Sequence, residues 1–174
     1  MKHLANHFLL CNELDIAEAL CIRAIRQCQQ LTVPENADSS KFRREIQPLR
    51  SDLHFILGKA YHKREQYDEA LKHYFKTVDL NAYNYAAHYC LAQIHYLNGN
   101  ITAVDEALTR VLSNPRYKDC YEALVLLAKV KTMQGQRYEA LALYKRLIEK
   151  IYPKSLVDLH GSSFSVGQLF DMVD

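Results

Sequence analysis

The sequence predicts an all-α protein, an α-solenoid of helix-turn-helix repeats. Three observations predict it. Glycine (5) and proline (4) are scarce in 174 residues, which leaves few of the tight turns an all-β fold needs. Apolar residues make up 49% and charged residues 24%, the composition of a chain that buries a core rather than staying disordered. A pattern of small and large apolar residues also recurs at an offset of 34 residues, and a fixed period of that length is the signature of a repeat array.

Helices are expected over 2–12, 14–30, 40–64, 67–80, 84–97, 101–113, 119–134 and 137–151. The first two carry Leu4-Ala5, Phe8, Ala17 and Ala24. Segment 31–39 is polar, contains Pro34 and reads as a loop. Pro48 should kink the 40–64 helix or mark its proper start. Next comes Leu57-Gly58-Lys59-Ala60-Tyr61, followed by Tyr67-Asp68-Glu69-Ala70. The pattern returns 34 residues later as Leu91-Ala92-Gln93-Ile94-His95 with Gly99-Asn100-Ile101. It returns again after 36 residues as Leu127-Ala128 with Gly135 and Glu139-Ala140, two residues being inserted near Lys118–Cys120. Ala17 precedes Ala70 by 53 residues, one repeat plus a 19-residue insertion. After Gly161-Ser162-Ser163, the residues Phe164, Leu169, Phe170 and Val173 share one face of a short helix expected to cap the last repeat. The organisation is therefore an array over 1–154, with repeats at about 1–30, 51–84, 85–118 and 121–154. An insertion fills 31–50, and 155–174 form a C-terminal tail or capping helix.

This spacing resembles the tetratricopeptide repeat (TPR). The slots hold His54, Leu57, Gly58, Tyr61, Ala70, Tyr74 and Thr77 in one copy. In the next they hold His88, Leu91, Ala92, His95, Gly99, Val104, Leu108 and Val111, with Pro115 one place early. In the last they hold Leu124, Leu127, Ala128, Gly135, Ala140, Tyr144 and Leu147, with Pro153 one place late. Small residues at Gly58, Ala92 and Ala128, and at Ala70 and Ala140, let paired helices approach closely. Large ones at Tyr61, Tyr74, Leu108 and Tyr144 fill the space between pairs, and each pair buries its apolar face only by stacking on a neighbour. Gly99 and Gly135 stand where a helix must stop in the left-handed conformation. The first copy begins at the fourth register position, with Met1 in the bulky slot. That register implies an excerpt from a longer array, stacked against further repeats.

Chemistry-bearing motifs are few. No GxSxG, P-loop, GxGxxG or HExxH pattern occurs, so the reading is a non-enzymatic protein with no catalytic residues, cofactor or bound metal. His3 and His7 are four apart on a helix and could ligate zinc, but nothing in the local sequence completes a ligand set. Cys90 lies near His88, and a packed thiol accounts for it better than a nucleophile. Lys41-Phe42-Arg43-Arg44 with Arg50 could meet phosphate or an acidic partner. Glu45 and Asp52 dilute the charge, and a solvated helix face accounts for it better. With 22 basic against 20 acidic residues, the balance gives no electrostatic case for nucleic acid. Five cysteines, an odd number with no CxxC pair, suit a reducing intracellular compartment. The N-terminus lacks a signal-peptide core and no run is long enough to span a membrane.

The TPR resemblance implies an α-solenoid wound as a right-handed superhelix, with a concave groove lined by the first helix of each pair as the binding surface. Register positions two, five, nine and twelve face it: Asp52, Phe55, Lys59 and His62; Ala86, Tyr89, Gln93 and Tyr96; Glu122, Val125, Lys129 and Thr132. The candidate peptide-binding set is Phe55, Lys59, His62, Tyr89, Gln93, Tyr96 and Lys129, an aromatic strip with basic flanks suited to a peptide of some acidic character. The competing reading is that neighbouring helices of a longer chain cover this face. The clamp that TPR co-chaperones place on a chaperone tail needs Lys, Asn and Arg at set positions. Lys2 and Asn6 fit its first two slots, but Ile56, Ala86 and Cys90 do not fit the rest.

Lys2-His3-Leu4-Ala5-Asn6-His7-Phe8 is similar to a segment of the large TPR subunit of the polymerase-associated factor (Paf) complex. The order that follows is similar too: an insertion before Leu57, Tyr67-Asp68-Glu69-Ala70 with Tyr74-Phe75, Gly99-Asn100, and Val111-Leu112. The resemblance implies a nuclear, non-enzymatic scaffold holding the other Paf subunits in a complex that travels with RNA polymerase II and supports elongation and histone modification. A TPR arm of a glycosyltransferase and a structural subunit of a ubiquitin-ligase assembly are the alternatives from other classes.

Overall fold

A computed structural model describes residues 1–31 and 39–151. The Pro34 loop, the Pro153 slot, the 155–174 tail and the side chains of Lys41, Phe42 and Arg43 lie outside the described residues. The described residues form eight α-helices: α1 (Lys2–Leu10), α2 (Leu14–Gln30), α3 (Ser39–Lys63), α4 (Tyr67–Leu80), α5 (Tyr85–Leu97), α6 (Ile101–Leu112), α7 (Tyr121–Met133) and α8 (Arg137–Ile151). The fold is an all-α TPR solenoid. Each odd-numbered helix packs on the even-numbered helix that follows it. Much of the expected insertion is helical, because α3 starts at Ser39 and contains Pro48. The chain divides into two compact units, Met1–Lys118 and the part from Asp119 onward.

The two helices of every pair are joined by three residues: Cys11–Glu13, Arg64–Gln66, Asn98–Asn100 and Gln134–Gln136. The middle residue is left-handed each time, at φ 64° for Asn12, 60° for Glu65, 72° for Gly99 and 74° for Gly135. The hydrogen bonds repeat as well. Glu65 N–H donates to His62 O (3.0 Å) and Gln66 N–H to Tyr61 O (3.0 Å), as Gly99 N–H does to Tyr96 O (3.1 Å) and Asn100 N–H to His95 O (2.9 Å). These are Schellman closures, which satisfy the carbonyls a helix end leaves orphaned. The sequence marks two of the four with glycine. Asn12 tolerates the conformation, whereas Glu65 bears its cost.

Within the first unit, one core joins α1, α2 and α3 around Ala5, Leu9, Ala17, Cys21, Leu53 and Leu57, all essentially inaccessible. A second joins α4 and α5 around Ala70, Tyr74, Ala87, Leu91 and Ile94. Position eight of the register is buried in every copy as Ala5, Gly58, Ala92 and Ala128. At Gly58 the requirement is steric, since a Cβ there would lie 2.6 Å from Tyr74 Cε1. Side chains seal the α2–α3 junction. Arg64 binds Glu18 and Asp15, and the Tyr61 hydroxyl donates to Glu18. The Arg64 bond, then the Tyr61 bond, hold the Glu18 carboxyl below its usual range. In the second unit α7 and α8 bury Ala123, Leu124, Ala128, Val130, Ala140 and Leu147. Arg146 pairs with Asp119 at 2.7 Å.

Candidate functional site

The site grows from α3, α4 and α5. On α3, residues 55, 59 and 62 fall within two turns, so Phe55, Lys59 and His62 share a face. The Lys59 ammonium stands 5.8 Å from the Phe55 ring centroid, within cation–π range. Phe55 leans on Tyr74 of α4 with centroids 5.9 Å apart. His62 Nδ1 lies 3.3 Å from the Tyr74 hydroxyl, and its ring meets Tyr67 edge-on at 5.7 Å. From α5, the Cys90 thiol also interacts with the Tyr74 hydroxyl. Tyr89 and Gln93 are joined on α5 by a 3.4 Å bond from the Gln93 amide to the Tyr89 hydroxyl. Tyr96, a turn further on, is half-buried.

Electrostatically the site is a neutral, aromatic floor with one cation. Burial holds His62 below its ordinary value, so the ring is neutral at physiological pH. Burial pushes the Tyr74 hydroxyl up, the Cys90 contact adding to it. Burial also raises the Cys90 thiol, against the opposing pull of the Tyr74 bond and Lys59. Cys90 is therefore a packed thiol and presents no thiolate nucleophile at neutral pH. His88 does not serve it: His88 Nε2 sits 3.1 Å from the Ala82 carbonyl.

The structure thus joins Phe55, Lys59 and His62 through Tyr74, and joins Tyr89 to Gln93. Lys129 belongs to the second unit, where it is exposed on α7. Asp52, another expected groove residue, is held by Lys2 of α1 at 2.8 Å. Tyr74 and Cys90 are members the sequence reading assigned to packing alone. Their polar atoms reach the site from behind, and register position cannot show where a hydroxyl ends. A separate cleft of about 380 Å³ lies between α4 and α6, with Phe75, His95 and Arg110 on its walls.

Comparison with known proteins matches residues 58–99 to the TPR repeat model and residues 122–155 to the tetratricopeptide repeat model. Both segments are tetratricopeptide repeats. Repeats of this kind make the chain a protein–protein interaction module. A curated relative, the Hsp70-Hsp90 organising protein of Plasmodium falciparum (isolate 3D7), is 29% identical over 118 residues. The match takes in 68% of this chain and 20% of the relative, so the chain spans about a fifth of that protein's length. A solved structure of nearly identical TPR-like repeats, described as a Podosopora anserina kinesin light chain, has 16% identity and a TM-score of 0.49. It covers 87% of this chain and 95% of its own. Among the described residues, no TPR helix is long and apolar enough to cross a membrane.

Proposed function

We propose that the chain is part of a nuclear scaffold of the Paf type, which holds Paf subunits and RNA polymerase II during transcription elongation. The observation that carries this reading is Leu4-Ala5-Asn6-His7-Phe8, considered with its burial. Ala5 is inaccessible and Phe8 packs on the first core, so packing accounts for those two. Asn6 and His7 are exposed. No packing demand explains them, and exposed polar residues in a specific string suit recognition by a partner. The partner's peptide is proposed to lie on the TPR helix face of Phe55, Lys59, His62, Tyr89, Gln93 and Tyr96. A half-buried aromatic floor beside a cation suits an acidic or amphipathic segment.

The curated relative favours a second reading, a link to Hsp70 and Hsp90 as in that protein's name. The residues weigh against it here. Lys2 is engaged by Asp52, Ile56 is part of the core, and Cys90 is a packed thiol. The deciding experiment is recovery with tagged full-length protein. RNA polymerase II and Paf subunits from nuclear extract support the first reading. Chaperones alone, from cytosol, would overturn it.

A further inference from the structure

The α1 helix carries an arrangement that neither packing nor the TPR register uses. His7 and Cys11 are four residues apart, and the helical hydrogen bond from Cys11 N–H to His7 O (3.0 Å) fixes their separation. Both side chains are exposed, and His7 Nε2 lies 3.6 Å from Cys11 Sγ. A tetrahedral Zn(II) with bonds of about 2.0 Å to imidazole nitrogen and 2.3 Å to thiolate sulfur needs the two atoms about 3.5 Å apart. The pair therefore already has the bite of an N,S-chelate. The Phe8 ring meets His7 edge-on at 5.7 Å and orients the imidazole. Cys11 is the C-cap of α1, and the negative end of the helix dipole favours a cation there. Lys63, whose ammonium donates to the Leu9 carbonyl at 3.1 Å, meets part of that potential and moderates the affinity.

We propose that His7 and Cys11 form a bidentate surface site for a borderline-soft divalent metal ion of the zinc class, water completing the coordination. Among the described residues no group of three or more His, Cys, Asp or Glu is placed to hold a metal, so the site has two protein ligands and is an exchangeable one. Binding deprotonates the Cys11 thiol and releases its proton to solvent. The proposal shares His7 with the string on which the partner-binding reading rests, but it stands on the His7–Cys11 geometry alone, and its failure would leave that reading untouched.

The test is titration of the reduced, chelator-treated full chain with Co(II), followed by thiolate-to-cobalt charge-transfer absorption, and then displacement by Zn(II). One ion per chain is expected, with one proton released. Cys11→Ser should abolish the band. His7→Ala should weaken binding at least about tenfold, since even an outer partner of a metal ligand is worth that much. His3→Ala, one turn earlier and outside the contact, should leave the affinity unchanged. These are exposed positions, so unchanged helical CD separates loss of binding from loss of fold. Absence of the band in the unmodified chain would overturn the proposal. So would its persistence in Cys11→Ser, or its transfer to Cys120, whose thiol meets Glu122 at 3.3 Å.

Discussion

Gly58→Ala isolates the contact on which helix pairing in the 51–84 repeat depends. The added methyl would meet Tyr74 Cε1 at 2.6 Å, Cδ1 at 2.7 Å and Cγ at 3.2 Å. Ordinary carbon–carbon contact begins near about 3.5 Å, so the ring must move by almost 1 Å. It has nowhere to go: Tyr74 is inaccessible to solvent, with Phe55 and His62 against it. Overpacking of this kind costs about 1–3 kcal/mol, and the better helix propensity of alanine returns up to about 1 kcal/mol. A net loss of about 1 kcal/mol is expected, seen as a fall of about 2–4 °C in the CD melting midpoint. Tyr74→Leu alone should cost about 2 kcal/mol for the void it leaves. Together the two changes create the pair the next repeat already uses, Ala92 with Leu108, both fully buried. The double variant should therefore be more stable than the sum of the single losses by at least about 1 kcal/mol. Additive losses would refute the argument that Gly58 is small because Tyr74 is large.

Glu65→Gly should stabilise the protein by about 1 kcal/mol, because Glu65 alone of the four turn positions is neither Gly nor Asn at positive φ; a lower urea midpoint would contradict it. Acid should destabilise the fold as pH falls from about 6.5 toward about 4. Burial, then the neighbouring charges of His73, Arg50 and Lys76, lower His54 to about 4, and burial lowers its partner His73, whose Nδ1 is 3.0 Å away. The unfolded chain takes up protons in that window before the folded one does, so stability is full above 6.5 and lost below it. His73→Phe should flatten the pH dependence of the urea midpoint, and an unchanged slope would sink the assignment. Asn84→Ala should cost about 1 kcal/mol, because its side chain accepts from Ala87 N–H at 3.0 Å and caps α5; a chemical melt measures it.

Much of this architecture is legible in the residues because each repeat slot is a packing constraint. Gly58, Ala92 and Ala128 can be read as small before any helix is placed, and Gly99 and Gly135 announce their turns. At Glu65 the repeat register alone places the same turn, since tertiary closure overrides the preference of that one residue. The helix over 40–64 is legible too, and what Pro48 leaves open in the sequence, a kink or a later start, is resolved at the start, since α3 begins at Ser39 with Pro48 inside it. The candidate site was half legible. The α3 and α5 positions follow from the register, but the Tyr74 hydroxyl and the Cys90 thiol enter it from positions whose spacing says only core. The His7–Cys11 pair carries no signal of its own in the sequence, because a spacing of four on a helix brings two side chains to one face without showing that Nε2 and Sγ approach to 3.6 Å.

The central claim is that a TPR helix face of a Paf-type scaffold holds protein partners. Its most direct test is quantitative recovery of Paf subunits and RNA polymerase II from nuclear extract by the tagged full-length protein and by its Tyr89→Ala, Tyr96→Ala variant. The account predicts strong recovery by the first, a clear loss by the second and the same helical CD spectrum for both. Equal recovery would move the interface to another face, such as the Phe75–His95 cleft. Recovery of neither partner by the unaltered protein would contradict the account itself.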